Sequence, residues 1–202
     1  MSQHYYSKNP QTKSKPQEWT YTLRGEKFHF QTDTGVFSKS DVDFGSRLLI
    51  ETFEEAAQDG PILDVGCGYG PIGMAIAKSF PQKEVHMVDV NTRAVELAKK
   101  NAEKNGIQNV RIYESDGLAS VEADGFSSIL TNPPIRAGKE TIFRFYEEAY
   151  GKLQDGGSLW VVIQKKQGAP STQEKLEGLF GNCRTVDKKK GYFIFEARKS
   201  LT

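Results

Sequence analysis

Two stretches of this chain carry residues that could do chemistry, and they stand about sixty residues apart. The later one is Leu130-Thr131-Asn132-Pro133-Pro134-Ile135. It sets an amide side chain and two prolines at the end of an apolar run. Asn132 can accept a hydrogen bond through its side-chain oxygen, and the prolines fix the chain direction so that the Pro133 carbonyl can serve as a second acceptor. Two acceptors aimed at the N–H groups of an amine with a delocalised lone pair would draw that nitrogen toward tetrahedral geometry. They would also favour the positive charge that develops as it attacks. Such chemistry needs aim rather than a strong base, because the ammonium product sheds its proton readily.

The earlier stretch is Ile62-Leu63-Asp64-Val65-Gly66-Cys67-Gly68-Tyr69-Gly70. Glycines at 66, 68 and 70 let the backbone turn tightly and approach a ligand without Cβ clashes, and Pro71 suits a first helical turn. This is not the dinucleotide fingerprint G-x-G-x-x-G, because position 71 is proline, so a pyrophosphate is disfavoured. Asp64, on the strand before the turn, suits a cationic or hydrogen-bond-donating ligand. Asp89, followed by Val90, ends the next strand, where an acid can accept both hydroxyls of a ribose. Ser115-Asp116-Gly117 follows the third strand, in place to bond an adenine amino group. An acidic cradle with no basic grip on phosphate suits S-adenosylmethionine. Cys67 reads as a small residue in a crowded turn, not as a nucleophile. Either stretch alone could be an ordinary turn; their pairing carries the functional reading.

These residues need a frame that aligns several strand ends. From Pro61 onward the pattern alternates. Strands are expected at 62–65, 84–88, 110–114, 126–131 and 158–164, and helices at 71–79, 92–105, 139–153 and 172–180. The alternation predicts a Rossmann-like, doubly wound α/β fold with a mostly parallel sheet and helices on both faces. Upstream, Tyr21 to Leu23 and Phe28 to Gln31 flank Arg24-Gly25-Glu26-Lys27 and predict a short N-terminal β-hairpin. A helix from about Gly45 is expected to present Leu48, Leu49, Phe53 and Ala56 on one face. Arg184 to Val186 and Tyr192 to Ala197 predict an antiparallel closing hairpin, completing a seven-stranded sheet. Residues 1–19 read as a polar arm and 20–202 as one domain.

The 202 residues can bury a full core, and 27 Lys and Arg against 26 Asp and Glu neither demand nor exclude a polyanionic partner. Two isolated cysteines and no apolar run of membrane length point to a reduced, cytoplasmic protein without disulfides. His4, His29 and His86 share no spacing, which argues against a metal site.

Asp64-Val-Gly-Cys-Gly-Tyr-Gly, Asp89, Asp116 and Asn132-Pro-Pro resemble the ordered motifs of class I S-adenosylmethionine-dependent methyltransferases. Thr34-Gly35-Val36-Phe37-Ser38, with Asp43-Phe44-Gly45-Ser46-Arg47-Leu48-Leu49, resembles more specifically the small-subunit ribosomal RNA guanine-N2 methyltransferases, from about residue 20 to the C-terminus. The resemblance implies a catalytic set of Asn132, Pro133, Pro134 and Ile135. It implies cofactor contacts from Ser38, Asp64, Gly66, Cys67, Gly68, Gly70, Asp89, Val90, Asp116, Gly117 and Asn132. It implies RNA, or a ribosomal particle, as partner. The fourth position of Asn-Pro-Pro-x is usually aromatic in such families. Here Ile135 offers an apolar face instead, and Arg136 could stack or meet a phosphate. Two other readings remain open: methylation of a protein glutamine amide, and a cofactor-binding ribosome-assembly factor without catalysis.

Among weaker signals, Lys165-Lys166 could guide RNA phosphates or merely form a solvated loop. Lys188-Lys189-Lys190 reads as a charged turn guarding a sheet edge. Lys8, Lys13 and Lys15 could track a nucleic acid backbone.

Overall fold

The computed structural model describes residues 8, 13–36 and 41–201. Strands β1 (Gln17–Leu23) and β2 (Glu26–Thr32) form an antiparallel hairpin. Its two-residue turn, Arg24-Gly25, has φ of 50° and 77°. Paired positive φ angles match the twist of a tight hairpin. Helix α1 (Phe44–Thr52) follows. Then come β3 (Ile62–Val65), α2 (Pro71–Ser79), β4 (Val85–Asp89), α3 (Thr92–Lys104), β5 (Val110–Glu114) and β6 (Phe126–Thr131). The chain continues through α4 (Lys139–Lys152), β7 (Leu153–Gln164), α5 (Ala169–Phe180), β8 (Arg184–Lys189) and β9 (Tyr192–Arg198).

The seven-stranded sheet has the order β5-β4-β3-β6-β7-β9-β8, with β9 antiparallel to both neighbours. Strand period sorts its side chains. On β3, Ile62 joins the core beneath α1–α3, while Leu63 and Val65 join the core beneath α4 and α5. On β7, Trp160 and Val162 face the first core and Leu159, Val161 and Ile163 the second. All of these are buried, as a sheet covered on both faces requires.

Several boundaries differ from the sequence expectation, α5 among them, which starts at Ala169 rather than Thr172. Strand β1 starts at Gln17, because its pairing with β2 runs to Gln17↔Thr32. Strand β7 starts at Leu153, directly after α4, since Phe126 still finds Leu153 as a ladder partner across an irregularity. The α1 helix stops at Thr52: the Phe53 N–H closes on the Leu49 carbonyl, and Arg24 takes the Ile50 and Phe53 carbonyls at 2.8 and 3.0 Å. That arginine occupies the carbonyls of the last turn, and Ala56 falls outside the helix. Lys188 and Lys189 belong to β8, which leaves Lys190 and Gly191, at φ 51° and 78°, as the turn.

The N-terminal hairpin docks on α3 through two amides. Asn105 receives the His29 N–H and donates to the His29 carbonyl, both at 2.8 Å. Asn101 does the same with Gln31. Two residues along a strand advance about 6.6 Å and four along a helix about 6 Å, so the two amides meet alternate residues of β2. The second Asn101 hydrogen reaches the Tyr69 carbonyl at 2.8 Å, which ties the hairpin to the glycine-rich turn.

Candidate active site

Strand order reverses between β3 and β6: β4 and β5 lie to one side, β7 to the other. Ligands of open α/β sheets lie at the carboxyl ends of the strands beside such a reversal. Both chemical stretches end there. Val65 and Thr131 are register partners, and the Thr131 hydroxyl donates to the Val65 carbonyl at 2.9 Å. The glycine turn after β3 and Asn132 after β6 therefore leave the sheet at one level.

The turn is shaped by backbone geometry. Gly66, Gly68 and Gly70 have φ of 75°, 58° and 108°, the left-handed region in which a Cβ is strained. A Cβ on Gly70 would sit 2.9 Å from the Met74 sulfur, whereas one on Gly66 would project into open space. Asp89 holds the turn from β4: Oδ2 accepts from the Gly68 N–H and Oδ1 from the Asn91 N–H, both at 2.9 Å. Its backbone carbonyl takes the Ser115 N–H at 3.0 Å, which brings the end of β5 to the same place.

Asp64 is 1% exposed. One carboxylate oxygen accepts from the Gly73 N–H at 2.9 Å, and the other has no hydrogen-bond partner. Burial raises its pKa to about 7; the Gly73 bond opposes that rise and the Asp89 charge adds to it. A buried acceptor lacking a donor is costly alone and is relieved by a cationic ligand. Burial also pushes the Cys67 thiol up, with Asp89 and Asp64 adding to it, so Cys67 is an inert small side chain.

On the acceptor side, Asn132 is half-buried and Pro133 buried. The Asn132 amide nitrogen donates to Asp43 Oδ2 at 2.8 Å and to Ser46 Oγ at 3.0 Å. Asp43 is the N-cap of α1 and also accepts from the Ser46 N–H at 3.0 Å. A carboxylate can only accept, so the nitrogen must face it and the Asn132 oxygen is left directed elsewhere as an acceptor. The Pro134 carbonyl is occupied by the Ala137 N–H at 2.8 Å, which leaves the Pro133 carbonyl outside that turn. Ile135 opens the short 3₁₀ turn Ile135–Ala137 and packs partly on the core beneath α4.

Asp116 lies at the rim, paired with Arg144 at 2.8 Å with both side chains about half exposed. Gly117 is packed so closely that a Cβ would meet the Phe145 ring at 2.5 Å. Val90 is the half-buried link between Asp89 and Asn91. Ser38 falls outside the described residues, as does Phe37. Sequence reasoning did not single out Asp43 and Ser46 as partners of Asn132. It also missed Asn91, whose side chain donates to the Gly35 carbonyl at 2.9 Å, and Arg93, which bonds the Thr34 carbonyl. Those bonds bring residues 34 and 35 to the N-terminal end of α3, beside Asp89. The signal available was Asn91, an ordinary N-cap residue before Thr92.

Two open clefts, of about 450 and 590 Å³, lie elsewhere: one near the C-terminal end of α3, the other beside the β1–β2 turn. Neither touches Asp89 or Asn132. Convergent polar groups at the strand ends, not cavity size, mark the site. Among the described residues no group of three His, Cys, Asp or Glu side chains could hold a metal, and no helix is long and apolar enough to cross a membrane.

Comparison with known proteins bears on the fold and the family. A Bacillus subtilis (strain 168) protein, itself uncharacterized, is 58% identical over 200 residues, covering 98% of this chain and all of its own. The ribosomal RNA small subunit methyltransferase C of Vibrio vulnificus (strain CMCP6) is 33% identical over 90% of this chain and 52% of its own. Among solved structures, a T. thermophilus 16S rRNA N2-guanine methyltransferase in complex with AdoMet and guanosine superposes with a TM-score of 0.82. It is 27% identical and covers 94% of this chain and 52% of its own. The chain thus spans about half the length of these ribosomal RNA methyltransferases. The fold, the family model and these relatives together identify a class I S-adenosylmethionine-dependent methyltransferase. Within that class the chain belongs to the methyltransferase small domain family, whose model matches residues 27–196.

Proposed function

We propose that this protein transfers the methyl group of S-adenosylmethionine to the exocyclic N2 amine of a guanine in small-subunit ribosomal RNA. The observation that carries the reading is the fixed amide of Asn132. With both hydrogens committed to Asp43 and Ser46, its oxygen is held as an acceptor beside the cradle. An amine N–H bonded to that oxygen and another to the Pro133 carbonyl would aim the nitrogen lone pair and stabilise the charge it gains. Ile135 would lie against the base.

The chain's residues fit the cofactor. Asp64 has an unpaired buried oxygen that its ammonium would satisfy, the open side of Gly66 would admit it, and Asp89 stands at the strand end where its ribose would lie. Asp116 and Gly117 would border the adenine. Cys67 and Gly68 would contribute backbone, and the family resemblance adds Ser38 as a cofactor contact. The cofactor supplies the electrophilic methyl carbon; the protein supplies position, acceptors and shelter from water. Its place of work is the cytoplasm, on RNA or a ribosomal particle.

The test is methyl transfer from labelled S-adenosylmethionine to small subunits from a strain lacking this gene, followed by nucleoside analysis. Label in N2-methylguanosine is expected. Label in protein alone would replace the nucleobase with a glutamine amide, and cofactor binding without transfer to either would favour an assembly factor.

A further inference from the structure

Lysines far apart in sequence meet at the acceptor end of the sheet. The Lys165 N–H donates to the Gly191 carbonyl at 2.8 Å, which joins the turn after β7 to the β8–β9 hairpin tip. Lys165, Lys166, Lys189 and Lys190 are all exposed there. None of the four forms an ion pair among the described residues, and it is their grouping that sets them apart from unpaired lysines such as Lys99 and Lys100. Of the hairpin's acids, Asp187 is half-buried and accepts the Lys188 N–H, and Glu196 is engaged by Arg184 and Arg198 farther along β9. With a formal net charge of only +1 for the whole chain, this end is locally cationic.

The cluster also abuts the acceptor site. Lys190 Nζ lies 4.8 Å from the centroid of Phe44, the residue next to Asp43. Tyr192, which pairs with Lys189, packs with its ring 5.5 Å from the same centroid and would block a Cβ on Gly45 at 2.7 Å. A polyanion on these lysines would thus run past the residues that hold Asn132. Edge protection alone would account for Lys188, which covers the Phe193 ring, but not for Lys165 and Lys166, which lie outside the edge strand.

We infer that Lys165, Lys166, Lys189 and Lys190 form a docking surface for the phosphates of the RNA strand next to the methylated nucleotide. This deepens the proposed function and rests on it. Such contacts position without reading sequence, and their signature is a salt-dependent affinity.

The experiment measures binding of the full chain to an unmodified transcript of small-subunit ribosomal RNA across a salt series, with cofactor affinity measured in parallel. The variant is K165Q/K166Q/K189Q/K190N; asparagine tolerates the left-handed angle at 190. A control, K99Q/K100Q, removes two exposed lysines from α3, at the opposite side of the sheet. The quadruple variant is expected to bind RNA at least tenfold more weakly at about 0.1 M salt. Its slope of log affinity against log salt should fall by about one for each phosphate that the variant no longer neutralises. Its cofactor affinity and the control's RNA binding should be unchanged. An unaltered slope in the variant, with wild type binding RNA, would overturn the docking surface and leave the proposed chemistry standing. A wild type that binds no RNA would overturn both. Normal binding to transcript with impaired binding to assembled subunits would assign the lysines to a protein partner and also overturn the inference.

Discussion

The two halves of the site are built in opposite ways. The cofactor side is one continuous strand, turn and helix, with Asp64 and Gly73 only nine residues apart and Asp89 bonding Gly68 from the next strand. The acceptor side depends on side chains 89 and 86 residues distant, since Asn132 is oriented by Asp43 and Ser46 of the helix that precedes the sheet. The cradle is a local turn braced by side chains from the next strand and helix. An aimed amide needs a partner from elsewhere in the chain, so cofactor binding and transfer should be separable by mutation.

The largest effect is expected at Asn132. Its replacement by alanine removes the acceptor and should lower turnover about a hundredfold or more, as loss of a preorganised transition-state interaction does. Cofactor affinity should stay within about twofold, read by calorimetry on the same protein. Parallel loss of both would erase the distinction between the halves. Asp89→Ala should do the reverse. Removing its bonds to the Gly68 and Asn91 N–H groups, and the ribose contacts proposed for it, should weaken cofactor binding by about 1.5–3 kcal/mol. Unchanged affinity would take Asp89 out of the cradle.

Much of this contrast is legible in the sequence for the same physical reason. The glycine turn, α2 and the strands at 62–65, 110–114 and 126–131 are specified by neighbours a few residues away, and each has the boundaries that periodicity and turn residues imply. The Asn132–Asp43–Ser46 contact has no local pattern. Asp43 caps α1 by accepting from the Ser46 N–H; only the adjacency of α1 to the end of β6 gives the two residues a second task. The lysine cluster is similar: Lys165 and Lys190 come together through the antiparallel turn of β9, which periodicity locates but cannot orient. Asn101 and Asn105 fall within the helix expected at 92–105, with no sign that their amides dock a hairpin.

Smaller effects sharpen the comparison. Asp43→Ala removes both the α1 cap and the orienting acceptor. Stability should drop by about 1 kcal/mol, measured by denaturant titration. Turnover should fall roughly tenfold at unchanged cofactor affinity, as expected for loss of an orienting hydrogen bond near about 1.4 kcal/mol. Asp43→Asn keeps an acceptor oxygen and should restore most of both. A variant whose turnover recovers with stability but never fell beyond it would reduce Asp43 to a cap.

The smallest effect concerns protons. Asp64 has a folded pKa of about 7 against 3.8 for an unperturbed carboxyl, because burial disfavours its ionised form. The folded state therefore binds more protons than the unfolded state between those values. This carboxyl lowers stability as pH rises from about 4 to about 7. A cationic ligand on its free oxygen would favour the ionised form, so cofactor binding at about pH 6.5 should release a fraction of a proton. Calorimetry in buffers of different ionisation enthalpy reads that release, and Asp64→Asn should abolish it. Equal release in the variant would place the proton elsewhere.

The claim that the acceptor side works only as an assembled unit is tested most directly by combining Asn132→Ala with Asp43→Ala and measuring turnover with saturating cofactor. If Asp43 acts through Asn132, the double variant should turn over no more slowly than Asn132→Ala alone. Losses that multiply would mean that Asp43 contributes to transfer by a separate route, and the assembled amide would no longer explain the site.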